Sequence, residues 1–158
     1  MTARTTNGAA AGTTESTTNK VMARTLDFDA STDEFAQITI PMPKSWNEGT
    51  VTVQFLWTAA SGAGDVIWGC QAVALSNDDA LDTAFGTAAT VTDTLLTALD
   101  VHTTSFTSAI TIAGTPAAED MVVFQFYRDA DAGGDTLAVD AKLICVRIKY
   151  TINAVDDA

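Results

Sequence analysis

The sequence predicts an all-β protein, an antiparallel β-sandwich of the jelly-roll type, and three observations carry that prediction. Segments alternating apolar and polar residues recur along most of the chain, which is the period of a half-buried strand. Turns rich in glycine, proline and asparagine separate them at short intervals. Helical periodicity is confined to one stretch, so at most one short helix accompanies the strands, together with an extended N-terminal arm. Seven or eight short strands with tight turns must bury their apolar faces against one another, and a two-layer sandwich does this.

Residues 1–20, "MTARTTNGAAAGTTESTTNK", form the arm. Their Thr/Ala/Gly/Ser composition buries too little apolar surface to offset the entropy of ordering them, so contact with a neighbouring subunit is expected to fix them. The sandwich domain is placed at residues 21–158. In "FAQITIPM", Ala36, Ile38 and Ile40 share one face and Gln37 and Thr39 the other. Pro41 and Pro43 then end that strand and fix the approach to the next. Trp46, beside this corner, is read first as a plug for the open end of the sandwich, with contact to a neighbouring subunit, where tryptophan is enriched, as the alternative. Asn47 and Gly49 supply the turn chemistry of "SWNEG".

In "TVTVQFLW", Val51, Val53, Phe55 and Trp57 point inward. "SGAGD" is a tight reversal, and "VIWGCQAVAL" is nearly continuously apolar, as in a central strand covered on both faces. "SNDDALDTAFG" predicts the short helix: Ser76 or Asn77 caps it, Asp78 and Asp79 suit its positive end, Leu81 and Phe85 share a face, and Gly86 stops it. "TVTDTLLTALDVHTT" fits strand or loop. Ile110 and Ile112 point inward in "SAITIAG", as do Val122, Phe124 and Phe126 in "MVVFQFYR". In "TLAVDAKLICVRIKYT" the apolar parity slips near Leu143, which predicts a β-bulge or a change of sheet.

At 158 residues and 47% hydrophobic, the chain can build one substantial core. Its formal net charge of −12 argues against nucleic acid and anionic membranes as partners. The acidity suits a very soluble protein, or one working in salty water. No apolar run is long enough for a signal peptide or a membrane span, so synthesis in a cytosol is expected. Cys70 and Cys145 lack metal-ligand spacing and read as two reduced thiols rather than a disulfide. Arg4, Lys20 and Arg24 face only Glu15 and Asp27 in the first 27 residues, leaving that segment faintly basic beside an acidic body. These three bases, with Trp46, are the candidate interface residues.

Chemistry-bearing patterns are sparse. His102 is the only histidine, which rules out a multi-histidine metal site, and it lies in a polar stretch that suits a hydrogen-bonded role. No glycine-rich phosphate loop is present. Carboxylate pairs carry little information among 20 acidic residues. No catalytic residue and no cofactor is expected. In "DADAGGD", Asp129, Asp131 and Asp135 offer hard oxygen ligands for structural calcium, although a solvated hairpin tip is the favoured reading and the distal glutamate of an EF-hand is missing. "SNDD" is a second, weaker cation pattern that helix capping already explains. For sugars, the aromatic candidates are Trp46, Trp57, Trp68 and Tyr127, of which Trp57 and Trp68 lie on core-like runs.

The stretches "LDFDASTDEFAQITIPMPKSWNEGTVTVQFLWTA", "WGCQAVALSNDDALDTAFGTAATVTDT" and "AITIAGTPAAEDMVVFQFYRDA", with "DTLAVDAKLICVRIKYT", resemble structural proteins of tailed phages of marine and other aquatic bacteria and of related prophages. The resemblance covers about residues 21–155, and "MPKSWNEGTVT" and "AGTPAAEDMVVFQ" are its most specific parts. It brings no catalytic signature. It implies a virion location and a capsid decoration or cement protein, trimeric, bound to the major capsid protein or other virion proteins. The alternative it leaves open is the knob of a tail fibre or head spike that binds host glycan.

Overall fold

The structure, a computed structural model, describes residues 1–155, so the last three residues of the expected 21–158 domain lie outside the described residues. Ten strands run in chain order: β1 (Thr2–Ala3), β2 (Ala10–Glu15), β3 (Met22–Phe28), β4 (Glu34–Pro41), β5 (Thr52–Thr58), β6 (Gly64–Leu75), β7 (Ala89–Leu95), β8 (His102–Thr103), β9 (Met121–Arg128) and β10 (Ala141–Lys149). They form two five-stranded sheets, β1-β4-β9-β6-β7 and β2-β3-β10-β5-β8. Every strand pair is antiparallel. From β3 onward each connection crosses to the other sheet except the β6–β7 hairpin, so β3-β10-β5-β8 faces β4-β9-β6-β7. This is the antiparallel β-sandwich expected from the alternation.

The core follows the predicted parity. Val53, Phe55 and Trp57 of β5 meet Val66, Trp68 and Cys70 of β6 and Val122, Phe124 and Phe126 of β9 in one buried cluster. Trp68 sits at its centre, stacked on Phe55 at 5.4 Å and edge-on to Phe28 at 5.1 Å and Trp57 at 6.2 Å. Each such ring pair is worth about 0.5–1.5 kcal/mol beyond the apolar area it buries. The second half of β6 is buried at every position from Ala72 to Leu75, and past the end of its ladder with β7 its edge is taken over by Ala113, which exchanges backbone bonds with Ala72 and Ala74. The parity slip in β10 is a real bulge. Register against β5 shifts between Leu143 and Cys145, after which Val146 and Ile148 lie opposite Phe55 and Val53.

Three expectations change. No helix occurs among the described residues. Over residues 76–86 Asp78 takes a left-handed φ of 67°, and the Asp79 carboxylate accepts the Ser76 N–H at 2.8 Å. Two turns of helix are too short to nucleate alone, and these Asp side chains satisfy the backbone in a turn instead. The segment 90–104, ambiguous in sequence, resolves into most of β7, a loop and β8.

Residues 1–20 are not a free-standing arm. β1 pairs with β4 and β2 with β3, so the segment supplies an outer strand to each sheet of its own chain. Backbone ladders order this Thr-rich segment even though it buries little side-chain surface.

The proline corner works as expected. Pro41 ends β4 opposite Met121, and the Trp46 N–H closes a turn on Pro43 O at 3.0 Å. The corner also holds the C-terminal segment, through a Trp46–Ile152 bridge and the Asn47 N–H on Thr151 O at 3.0 Å. Trp46 itself is fully buried. Its assignment as an interface contact is therefore corrected to a core plug, because no part of the ring reaches solvent.

Candidate functional site

Asp129, Asp131 and Asp135 do not act together. Arg128, the last residue of β9, points into the core and is fully buried. Its guanidinium takes Asp135 bidentately, at 2.7 and 3.0 Å, and also donates to the carbonyls of Leu137 and Val139. Asp135 is thereby consumed as a structural counter-ion, and its Oδ2 additionally accepts the Ile67 N–H at 3.0 Å. The cation candidate is corrected accordingly: Asp33, from the β3–β4 connection, replaces Asp135. Oxygens of Asp33, Asp129 and Asp131 lie within 4.8 Å of one another.

This set has the hard-oxygen chemistry calcium takes, and it supplies three carboxylates where calcium uses about six to eight oxygens. One Asp33 oxygen already accepts the Ala130 N–H at 2.8 Å. Partial burial, and then the charges of Asp33 and Asp131, push the Asp129 carboxyl above its ordinary range. The second pattern, "SNDD", is a hydrogen-bonded turn in which Asp79 is bound to Ser76.

The basic residues of the first 27 positions are scattered. Arg4 lies 3.8 Å over the Phe35 ring and donates to Thr6 O at 2.7 Å and Gln125 Oε1 at 3.4 Å, so it is committed to its own sheet. Lys20 pairs with Glu15 at 3.3 Å at the tip of the β2–β3 hairpin. Arg24 is exposed on β3. They do not form one basic patch.

The aromatic candidates for sugar binding are mostly interior. Trp46, Trp57 and Trp68 are fully buried. Tyr127 is half-buried on the outer face of the first sheet, 5.6 Å from Phe35. It crosses Gly69 of β6 so closely that a Cβ there would lie 2.2 Å from its ring. Below this pair Gln37, Gln125 and Gln71 stand in register across three strands, with Gln37 donating to Gln125 at 2.9 Å. With Arg4 over Phe35, the ring face a sugar would stack on is already covered.

A different surface emerges on the outer face of the second sheet. The β2–β3 hairpin and the β7–β8 loop form the walls of a groove of about 200 Å³, floored by Ala23, Thr58 and Ile144. Val21, Leu99 and Val101 line it while remaining 69%, 55% and 64% exposed. The Thr58 hydroxyl at its floor is buried and has no hydrogen-bond partner. Glu15 is the one charged residue along the groove. Sequence reasoning missed this surface because its walls come from two segments read as arm and ambiguous loop. It also missed the burial of Arg128, although a lone arginine ending an apolar run before an acidic loop is a recognisable signal.

His102 is buried, 5.1 Å from the Trp57 ring, with Nε2 2.9 Å from Thr97 O. Among the described residues, no nucleophile or carboxylate is bonded to it. No protein-family model matches the chain, and no curated protein matches it either.

Proposed function

We propose that this protein is a non-enzymatic structural component of a phage virion, a decoration or cement protein that binds the head as an oligomer. We read its strand order, β3-β10-β5-β8 against β4-β9-β6-β7, as the jelly-roll wrapping expected from the sequence. The observation that carries the reading is the outer groove. Three large apolar side chains stay mostly exposed along a nearly uncharged strip of a chain whose net charge is −12. Exposed apolar strips of this kind mark mounting surfaces. In this reading the major capsid protein fills the groove, and repeated copies add avidity.

Deleting residues 1–20 would strip a strand from each sheet and so could not isolate the groove. The better probe is Val101→Asp, which places a charge in the groove without touching a strand. The folded variant should lose most of its co-sedimentation with phage heads. Binding at wild-type occupancy would overturn the reading.

The alternative, a glycan-binding fibre or spike knob, finds its best platform at Phe35 and Tyr127, and it requires Arg4 to leave the Phe35 face. Retention on host polysaccharide that Tyr127→Ala abolishes would favour it instead.

A further inference from the structure

The four sheet edges are not equivalent. β1 and β8 are only two residues long. Beyond β8, hydroxyls of Thr104 and Thr107 take the N–H groups of Phe55 and Val53, so that edge is irregular. β7 is longer, but Asp93 turns its carboxylate inward to the Trp57 indole at 2.7 Å. Short strands, irregularity and inward charges are the devices that keep sheet edges from pairing with other chains. β2 has none of them. It runs in unbroken register with β3 from Ala10 to Glu15 and carries no proline, lysine or bulge.

Its free backbone groups can be assigned. The Ser16 N–H bonds Val21 O across the hairpin at 2.9 Å, so the even-numbered residues face β3. The Ala9 N–H points the other way, to Phe35 O of the first sheet at 3.3 Å. Along the strand, Ala11, Thr13 and Glu15 therefore present their N–H and C=O groups away from the protein.

We infer that β2 is an interface for a second copy of this chain, pairing antiparallel with the second copy's β2 about a two-fold axis at Thr13. In that register Thr13 faces Thr13, and Ala11 faces Glu15 of the second copy. Every outward donor then meets an outward acceptor, and the arrangement is closed by its own symmetry. Charge favours the same register. Glu15 is the one charged residue of β2 and is opposed by alanine. The two Glu15 side chains stand about 14 Å apart along the ladder, beyond the screening length of roughly 8 Å at physiological salt. In a chain of net charge −12, this is an edge where two copies meet without opposed like charges. The contact joins copies in pairs, unlike the trimer expected from the sequence, and it does not depend on what the groove binds.

Thr13→Pro tests it, because the proline removes an outward N–H and leaves the bonds to β3 intact. Thr13→Lys is the second variant, setting two cations face to face on the axis. Sedimentation of the full chain should give twice the monomer mass for wild type and weaken association at least tenfold in both variants. Hydrogen exchange in the wild type should protect the amides of Ala11, Thr13 and Glu15, and both variants should lose that protection at Ala11 and Glu15. A monomeric wild type at about 100 μM, undiminished association of the folded variants, or open exchange at these three amides overturns the inference. Loss of head binding by Val101→Asp in a protein that still pairs would separate the two proposals.

Discussion

Arg128 and Asp135 meet as a bidentate ion pair with both side chains out of contact with water, Nη2–Oδ1 at 2.7 Å and Nε–Oδ2 at 3.0 Å. The pair ties the end of β9 to the loop that leads into β10, and the remaining arginine donors bond the Leu137 and Val139 carbonyls. Truncating one member leaves the other charge buried and uncompensated, at a cost of about 3–5 kcal/mol. Asp135→Ala should therefore lower the melting temperature on the order of 10 °C for a domain of this size. Arg128→Lys should not restore stability in its place, because a single ammonium cannot serve a carboxylate and two carbonyls in that planar arrangement. Urea unfolding of both variants checks this, and a wild-type midpoint for either would show the pair to be dispensable.

Asp93 links the two sheets in a different way. From the edge strand β7 its carboxylate accepts the Trp57 indole N–H, and Trp57 is fully buried on the opposite sheet. Asp93→Ala leaves that donor without a partner, at a cost of about 1–3 kcal/mol. It also removes the inward charge that keeps β7 from pairing with other chains. The expected outcome is a lower denaturation midpoint together with faster aggregation on light scattering. A soluble variant of wild-type stability would sink this account of β7.

The two cysteines differ in reactivity. Cys145 is exposed on β10, whereas Cys70 is buried at the centre of β6, where burial pushes its thiol well above the ordinary range. A thiolate-specific reagent should modify one thiol per native chain at pH 8 and both in urea. Modification of both in the native state would mean that β6 opens readily.

Much of this architecture was legible in the residues themselves. The inward parity of Val53, Phe55, Trp57, Phe124 and Phe126 and the slip near Leu143 came directly from period-2 alternation, because a residue's neighbours along a strand fix which face it occupies. Pairings between distant segments were not legible. The Thr-rich strand β2 buries almost nothing and so leaves no apolar pattern; only its ladder with β3 orders it. Leu81 and Phe85 had helical spacing, but Leu81 is solvent-exposed, since the Asp78 and Asp79 turn reverses the chain first. The acidic cluster was located to within one residue. Which aspartate Arg128 would claim depended on the depth of a side chain, and Asp33 joined from another loop.

That cluster gives a pH prediction with a definite sign. Asp129 titrates above the ordinary carboxylate range in the folded protein, because of partial burial and then the Asp33 and Asp131 charges. Between the unfolded and folded pKa values the folded chain holds the extra proton, so stability falls as pH rises through that window and the penalty persists at neutral pH. Asp129→Asn removes the charge that carries the penalty. In EDTA the variant should melt above wild type at pH 7, and the two should coincide at pH 3, where both side chains are neutral. Millimolar calcium should narrow the gap at pH 7 only if the three carboxylates hold the ion, since a bound cation offsets the same repulsion. A variant that melts below wild type in EDTA at pH 7 would show that the Asp129 carboxylate stabilises the fold, and the repulsion argument would fail.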